Sequence, residues 1–167
     1  MALVKLPKMA KLEVAKLIKG QMICRIAFRG DRSPYLIPFQ YTYFNGHLYF
    51  HFTNYGRKIE LLKRDEPVCV EIEEITPDMR KYAFVALTGT LKVVMEPMER
   101  GKVVRKMAEE GVMKLSDNFL AVHGFNREDG WSALSPEKPL IIVKLDNVSE
   151  CIGLKSPSEY RVRRHAK

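Results

Sequence analysis

The sequence predicts a mainly β (α+β) domain, a small antiparallel β-barrel decorated by a few short helices. Two observations support this prediction. Several short runs are rich in aromatic and β-branched residues, and turn-forming residues separate them. The Asn45-Gly46 pair joins two of these runs, and Asn-Gly in that position is a strong signal for a β-hairpin.

The first half of the chain predicts a helix followed by three strand-like runs. Apolar residues recur at helical spacing over residues 9–19, and Gly20 supplies a stop. A strand is predicted over residues 22–28, and a turn over residues 30–33. Residues 34–52 then predict one antiparallel hairpin whose strands meet at Asn-Gly.

The rest of the chain, from about residue 54, alternates between helices and longer strands. Val68, Val70 and Ile72 predict the buried face of a strand over residues 67–75. A helix is predicted over about 54–64, capped by Thr53 or Asn54 and ended by Pro67. A strand is predicted over 81–95, and Gly89 marks a bulge or a close approach in it. The remaining predicted elements are a helix over 97–110, a loop over 123–138, and a last strand or strand pair over 139–154.

Length and composition are those of an ordinary globular protein. The 167 residues are 46% hydrophobic and 29% charged, which fits one domain over residues 1–155 with a basic tail over residues 156–167. No apolar run reaches the roughly 18 residues of a membrane helix. The N-terminus lacks the continuous apolar segment of a signal peptide, so we expect a cytoplasmic protein.

Charge and cysteine usage narrow the classes of site. The formal net charge of +8 fits a phosphate-bearing ligand, nucleic acid or an acidic membrane surface. The densest basic cluster is the tail RVRRHAK, for which solvation and weak phosphate or nucleic-acid contacts both stay open. Cys24, Cys69 and Cys151 are isolated and form no CxxC pair, so we expect buried reduced thiols and no metal site.

The stretch HFTNYGRK, residues 51–58, carries the main functional signal. A helix start exposes unpaired N–H groups, and Gly56 lets the backbone approach a ligand. Arg57 adds a planar fork of donors and Lys58 a mobile point charge, so together they suit a phosphate group. The preceding hairpin offers a flat apolar wall for an aromatic ring system. The alternative is that both cations are simply solvated on the helix surface.

Residues 34–74 resemble a known family. Their pattern is similar to the flavin-binding core of the pyridoxamine 5′-phosphate oxidase-like split-barrel flavoproteins, nearest to the branch that includes nitroimidazole-resistance proteins. The positions that match this pattern are Pro38, Tyr41, Tyr43, Gly46, Leu48, Tyr49, Phe50, His51, Gly56, Arg57, Lys58 and the pair Pro67-Val68.

The resemblance implies an FMN-binding split β-barrel, an antiparallel Greek-key-like barrel with a few short helices. It implies an obligate homodimer with FMN in the cleft between subunits, and FMN-dependent oxidation or reduction of a small molecule. Arg57 and Lys58 would hold the phosphate. The other implied cofactor-binding residues are Pro38, Phe39 and Gln40 along the isoalloxazine ring, and His51, Phe52 and Thr53 near the ribityl and phosphate end, with Asn54 included because the alignment there is open by one position.

Departures from the oxidase itself argue against vitamin B6 as substrate. The oxidase carries Arg and Lys on the first hairpin strand, where this chain has PYLIPFQ, and a polar amide on the long strand, where this chain has Phe84. Its Arg-x-His motif occurs only as Arg163-Arg164-His165 in the tail. No side chain is an evident catalytic acid, base or nucleophile, so the catalytic residues stay unassigned.

Two other functions remain open at this stage. A non-enzymatic barrel of the same kind could store or sense FMN, or bind haem or a deazaflavin. A basic β-barrel could instead bind nucleic acid by stacking bases on aromatic residues, although the cations cluster at one helix start and do not follow a groove. Trp131, the only tryptophan, either packs in the core or caps the cofactor of the partner subunit.

Overall fold

The structure is a computed structural model that describes residues 5–157, without the side chains of residues 122 and 123. The predicted basic tail falls outside the described residues from position 158 onward. The described chain forms seven strands: β1 Ile23–Phe28, β2 Tyr35–Gln40, β3 Thr42–Phe44, β4 His47–Phe52, β5 Val68–Ile75, β6 Tyr82–Val93 and β7 Ile141–Lys155. The helices are α1 Lys11–Gly20, α2 Arg57–Leu62 and α3 Pro97–Lys114, followed by 3₁₀ segments over Asp117–His123 and Arg127–Ala133.

The strands form a single antiparallel sheet in the order β2-β1-β5-β6-β7-β4-β3. β2 and β3 lie at opposite ends of this order, although only Tyr41 separates them in sequence. The sheet must therefore curl until its two ends meet. Phe39 of β2 stacks on Phe52 of β4 with ring centroids 4.7 Å apart, so the two ends are in contact. The result is a half-barrel, which confirms the predicted fold class.

The barrel interior is filled by alternate residues of each strand. In β5 the alternation is regular, since Val68, Val70 and Ile72 are buried as predicted and their neighbours are half-buried. Leu17 and Ile18 of α1 join this core and cover one end of the barrel.

A second core lies on the outer face of β4 and β7, under α3. Val103 and Val104 of α3 are fully buried there against Tyr49, Ile142 and Trp131. Glu96 caps α3 by accepting hydrogen bonds from the backbone N–H groups of the first turn. This helix therefore holds one face of β4 rigidly, and β4 supplies part of the site described below.

The predicted hairpin over residues 34–52 is correct in its second half only. β3 and β4 pair across the Asn45-Gly46 turn, whose residues have the positive φ angles that the turn requires. β2, by contrast, pairs with β1 and not with β4. The reason is the crossing at Tyr41, which sends one continuous run of strand residues to both ends of the sheet.

Other predictions need smaller corrections. α2 begins at Arg57, three residues later than expected, and Gly56 precedes it with φ 84° and without a side-chain cap. The predicted loop over 123–138 is partly 3₁₀ helix, and residues 139–154 form one long strand, β7, over Ile141–Lys155. Gly89 marks a register shift in β6, as predicted, because a Cβ there would lie 2.6 Å from the carbonyl oxygen of Asp146.

The cysteine prediction holds for one thiol and is wrong for another. Cys24 is buried, and burial raises the pKa of its thiol to about 12. Cys69 is half-buried, whereas Cys151 on β7 is exposed. All three thiols are free. None of the helices within residues 5–157 has the length and apolar character needed to cross a bilayer.

Candidate functional site

A cavity of about 430 Å³ lies where the two ends of the sheet meet. Its walls come from the start of β1, from β2 and β4, from the start of α2 and from the first 3₁₀ segment. The lining residues are Ile23, Ile37, Pro38, Phe39, Gln40, His51, Thr53, Lys58 and Phe119. This volume is within the range of roughly 300–1,000 Å³ typical of cavities that bind small molecules and cofactors.

The floor of the cavity is apolar and rigid. Phe39 stacks on Phe52 with an interplanar angle of 15°, and its edge faces Phe50 at 6.0 Å between centroids. Phe50 and Phe52 are fully buried in the barrel core. Phe39 is therefore held from behind by the core and presents a fixed apolar surface to the cavity. Such a surface suits a flat aromatic ring system.

One end of the cavity is polar and positively charged. The ammonium group of Lys58 donates a hydrogen bond of 2.7 Å to the Thr53 hydroxyl and one of 3.2 Å to the carbonyl oxygen of Tyr55. It also lies 4.9 Å from the centroid of the Tyr55 ring. These contacts hold the Lys58 charge at the cavity wall.

Arg57 precedes Lys58 at the start of α2. Its guanidinium lies 5.1 Å from the centroid of the Tyr35 ring, in a cation–π arrangement. A Cβ atom at Gly30 would come within 2.9 Å of a guanidinium nitrogen, so the turn at residues 30–33 encloses the Arg57 side chain from the other side. Arg57 is thus held beside Lys58 on the first turn of α2, and it is not one of the residues that line the cavity.

His51 forms part of the opposite wall. Its imidazole stacks on Phe125, with ring centroids 5.5 Å apart and an interplanar angle of 22°. Phe125 follows the first 3₁₀ segment, which also places Phe119 in the cavity lining. Leu120 of this segment and Trp131 of the second 3₁₀ segment are both buried in the second core. Trp131 therefore packs in the core, and this settles the choice left open by the sequence.

The structure brings together six of the nine residues predicted for the cofactor site. Pro38, Phe39, Gln40, His51, Thr53 and Lys58 all line the same cavity. The Phe52 side chain lies in the barrel core behind Phe39, Asn54 is exposed next to Thr53, and Arg57 lies against the Tyr35 ring and outside the cavity lining.

Three lining residues were not predicted from the sequence. Ile37 could have been found, because strand alternation places it on the same face as Phe39. Ile23 pairs with Gln40 across β1 and β2, and this register was not predicted. Phe119 lies about 70 residues beyond β4, in a segment with no regular pattern, so no local signal identifies it.

The charge distribution of the lining suits an anionic ligand with an apolar ring. None of the residues that line the cavity is acidic, and Lys58 carries the only formal charge among them. Within the described part of the chain, no three His, Cys, Asp or Glu side chains come together as a metal site would require. FMN fits this lining, because its ring system matches the apolar floor and its phosphate matches the cationic end.

Comparison with known proteins gives a family and a fold. Residues 10–129 match the sequence family described as pyridoxamine 5′-phosphate oxidase. No curated protein is significantly similar to the chain in sequence.

Solved structures with the same fold have low sequence identity. An FAD-binding protein from Mesorhizobium loti has 18% identity and a TM-score of 0.65, over 92% of this chain and 100% of that one. An FAD-binding protein from Mycobacterium smegmatis has 12% identity and a TM-score of 0.64, over 90% and 100%. A candidate 5-nitroimidazole antibiotic resistance protein from Bacteroides thetaiotaomicron has 18% identity and a TM-score of 0.62, over 92% of each chain. At these identities the similarity establishes the split-barrel fold alone.

Proposed function

The chain belongs to the pyridoxamine 5′-phosphate oxidase family of flavin-binding split barrels, and on that premise we propose that it binds FMN and acts as an oxidoreductase on a small molecule. The observation that carries the proposal is the position of Lys58. Its charge stands at one end of a cavity whose floor is the apolar face of β2. This is the arrangement that a ring system with a single terminal phosphate requires.

The residues of the chain divide into ring-binding and phosphate-binding groups. Ile37, Pro38 and Phe39 would contact the ring system. Because proline has no backbone N–H group, the ring would not bury an unpaired donor at Pro38. Lys58, with the adjacent Arg57, would bind the phosphate through charge-assisted hydrogen bonds. When bound, the flavin would supply the hydride or electron chemistry, and the protein would supply position and electrostatics.

We expect the site to be completed by a second copy of the chain. Two large apolar side chains close to the cavity are exposed: Leu36 retains 61% of its surface and Ile23 retains 43%. Exposed apolar surface at the mouth of a binding site is typical of an interface. A homodimer would cover Leu36 and place each flavin in a cleft between subunits, in agreement with the cavity's position at the sheet ends.

The absence of acidic residues from the lining also bears on the substrate. Among the described residues that line the cavity, no carboxylate can serve as a general base, so reactions that need only the flavin and a bound acceptor or donor are favoured. Small electron acceptors, reduced at the expense of a nicotinamide donor, are the substrate class we propose. The relatedness in fold to a candidate nitroimidazole-resistance protein is in line with this class.

The ligand that the purified protein carries tests the proposal. Heat-released ligand should absorb like free flavin and have the mass of FMN. The mass of FAD would keep the flavin function and change the cofactor, a possibility raised by the two FAD-binding proteins of similar fold. A Soret band or a deazaflavin mass would contradict FMN. A colourless protein that cannot be reloaded with flavin, and that binds DNA in a salt-sensitive way, would favour nucleic acid. If the FMN-loaded protein turns over no acceptor, storage or sensing replaces catalysis.

A further inference from the structure

A second, much smaller cavity lies directly behind the flavin cavity. Its volume is about 10 Å³, and it is lined by Gln40, Tyr41, Thr42, His51, Met107 and Leu134. Gln40 and His51 line both cavities. A space of about this volume with polar walls is the smallest that holds one water molecule.

Thr42 connects this small cavity to a carboxylate. The Thr42 side chain is 1% exposed, and its hydroxyl donates a hydrogen bond of 2.8 Å to Glu110 of α3. Thr42 is the cross-strand partner of Tyr49, and His51 is two residues further along β4. Thr42 and His51 therefore lie on the same face of the sheet as diagonal neighbours, and the Cα atoms of such neighbours are about 7–8 Å apart. Both side chains line the same small cavity, so a single water in it can reach polar atoms of both.

Glu110 reaches the surface on the other side. Its side chain is 13% exposed and lies 3.8 Å from the ammonium group of Lys114 and 4.0 Å from that of Lys106. It also lines an outer polar cavity of about 210 Å³ together with Lys19, Tyr43 and Lys114. Three cavities therefore follow one another from the flavin site to the surface: the flavin cavity, the small cavity and the outer polar cavity. The hydrogen bond from Thr42 to Glu110 links the small cavity to the outer one.

We infer that His51, a water in the small cavity, Thr42 and Glu110 form a proton relay between the flavin site and solvent. This inference rests on the proposed function, because reduction of a bound flavin takes up protons and its oxidation releases them. For release, one ring nitrogen of His51 takes up a proton from the flavin cavity, the N–H bond of the other ring nitrogen breaks, and the water takes that proton, so that His51 stays neutral. The water passes one of its protons to the Thr42 oxygen, the Thr42 hydroxyl proton moves to the Glu110 carboxylate, and Glu110 releases its proton to solvent in the outer cavity. Proton uptake is the reverse, and no electrons move along the chain.

The apolar neighbours confine the proposed route to the polar side of the small cavity. Met107 and Leu134 close the small cavity on the sides that lack polar groups. The observed hydrogen bond runs from Thr42 to Glu110, which is the direction that proton release requires. The Thr42 hydroxyl can accept from the water while it donates to Glu110, since a hydroxyl has one donor and two acceptor sites.

Substitutions separate a relay from a merely structural contact. Glu110→Gln keeps the shape and an acceptor for Thr42 but cannot take up the proton. Thr42→Val removes the hydroxyl, while Thr42→Ser retains it. Glu109→Gln is a matched control on the adjacent, exposed position of α3, with a side chain that is 63% exposed.

The test measures proton uptake on reduction of the FMN-loaded protein. Reduced methyl viologen supplies electrons without protons, so a pH-indicator dye reports the protons that solvent supplies. We expect uptake to keep pace with flavin bleaching in wild type, Thr42→Ser and Glu109→Gln, and to slow at least about 10-fold in Glu110→Gln and Thr42→Val. FMN affinity, measured separately, should stay within about twofold of wild type in Glu110→Gln, because Glu110 is not among the residues that line the flavin cavity. If Thr42→Val fails to fold, Glu110→Gln and Thr42→Ser decide the question.

A crystal structure of the flavin-free wild-type protein gives a second, independent readout. It should show one water within hydrogen-bond distance of the Thr42 hydroxyl and the His51 ring. Equal uptake rates in all variants, or no water at that position, would overturn the relay while leaving the flavin function intact. A wild-type protein that binds no flavin would contradict the proposed function and, with it, the relay.

Discussion

The Lys58 ammonium group lies 2.7 Å from the Thr53 hydroxyl oxygen, at the polar end of the cavity. Because the hydroxyl accepts this hydrogen bond, its own proton remains available for donation to a ligand. The pair therefore presents two donors, one of them charged, to any anionic group placed between them. This geometry is the basis of the first two predictions.

Removal of either cation should weaken FMN binding. Charge-assisted hydrogen bonds are worth about 1.5–3 kcal/mol, so Lys58→Ala or Arg57→Ala should raise the Kd for FMN by roughly 10- to 150-fold. The double substitution should abolish measurable binding. Lys63→Ala, an exposed lysine just beyond α2, is the control and should bind like wild type. Fluorescence titration of the flavin-free proteins gives the Kd values, and an unchanged affinity of the double variant would remove the phosphate assignment.

Loss of the phosphate from the ligand should have the same effect as loss of the cations. Riboflavin lacks the phosphate, so wild type should bind it much more weakly than FMN, by a factor of at least about 10. In the double variant the two ligands should bind alike. The same titration measures this, and equal affinity of wild type for both ligands would contradict the account.

Much of the fold could be predicted from the sequence because the deciding signals are local. The Asn45-Gly46 turn, the alternation in β5 and the irregularity at Gly89 are each set by residues within a few positions. The pairing of β2 with β1 could not be predicted in this way. It depends on where the chain crosses between the two ends of the sheet at Tyr41, and side-chain pattern alone does not mark that point.

The candidate site was predictable to the extent that it is contiguous in sequence. Residues from Pro38 to Lys58 reach one cavity because β2 and β4 meet there. Phe119 and Glu110 were missed, since they approach from helical segments that have no sequence relation to the site. The role predicted for Thr53 or Asn54 as a helix cap was wrong because Gly56 precedes α2, and the Thr53 hydroxyl bonds to Lys58.

The packing of Trp131 on α3 should make Gly111 intolerant of a side chain. A Cβ at Gly111 would overlap the Trp131 ring, so Gly111→Ala should destabilise the protein by about 1–3 kcal/mol, despite the better helix propensity of alanine. Gly20→Ala is the matched control, because no atom lies within 4 Å of its Cβ position. It should be neutral or stabilising by up to about 1 kcal/mol. Urea unfolding measures both, and equal stabilities would contradict the packing.

Tyr49 should stabilise the protein in a pH-dependent way through Glu99. The Tyr49 hydroxyl donates a hydrogen bond of 2.8 Å to the Glu99 carboxylate, and this bond, followed by Lys144 at 3.1 Å, holds the Glu99 pKa below its ordinary 4.5. A lowered folded-state pKa stabilises the fold above the unfolded pKa, and this contribution is lost as the pH falls through the folded pKa.

Tyr49→Phe should therefore cost about 1 kcal/mol at pH 7, less than a fully buried charged hydrogen bond, because Glu99 is partly exposed and keeps Lys144. The difference from wild type should shrink as the pH falls below 4.5. Tyr55→Phe, at a ring that is 69% exposed, should show no such trend. Unfolding curves between pH 7 and about pH 3 measure the difference, and a gap independent of pH would argue against this role for Glu99.

The homodimer should depend on the apolar surface beside the cavity. Light scattering at micromolar concentration should give about twice the 19.3 kDa of one chain. Leu36→Glu should shift the protein toward the monomer and weaken FMN binding, because a buried unpaired carboxylate would be costly at the interface. Leu12→Glu, on α1, introduces the same charge at a side chain that is 82% exposed and should have no effect. A wild-type protein that scatters as a single chain would refute the dimer.

A crystal structure of the protein saturated with FMN tests the central claim most directly. We predict that the ring system lies on Pro38 and Phe39 in the cavity of about 430 Å³, with the phosphate within hydrogen-bond distance of Lys58 and near Arg57. Density for FMN at another place, or a phosphate directed away from both cations, would contradict it.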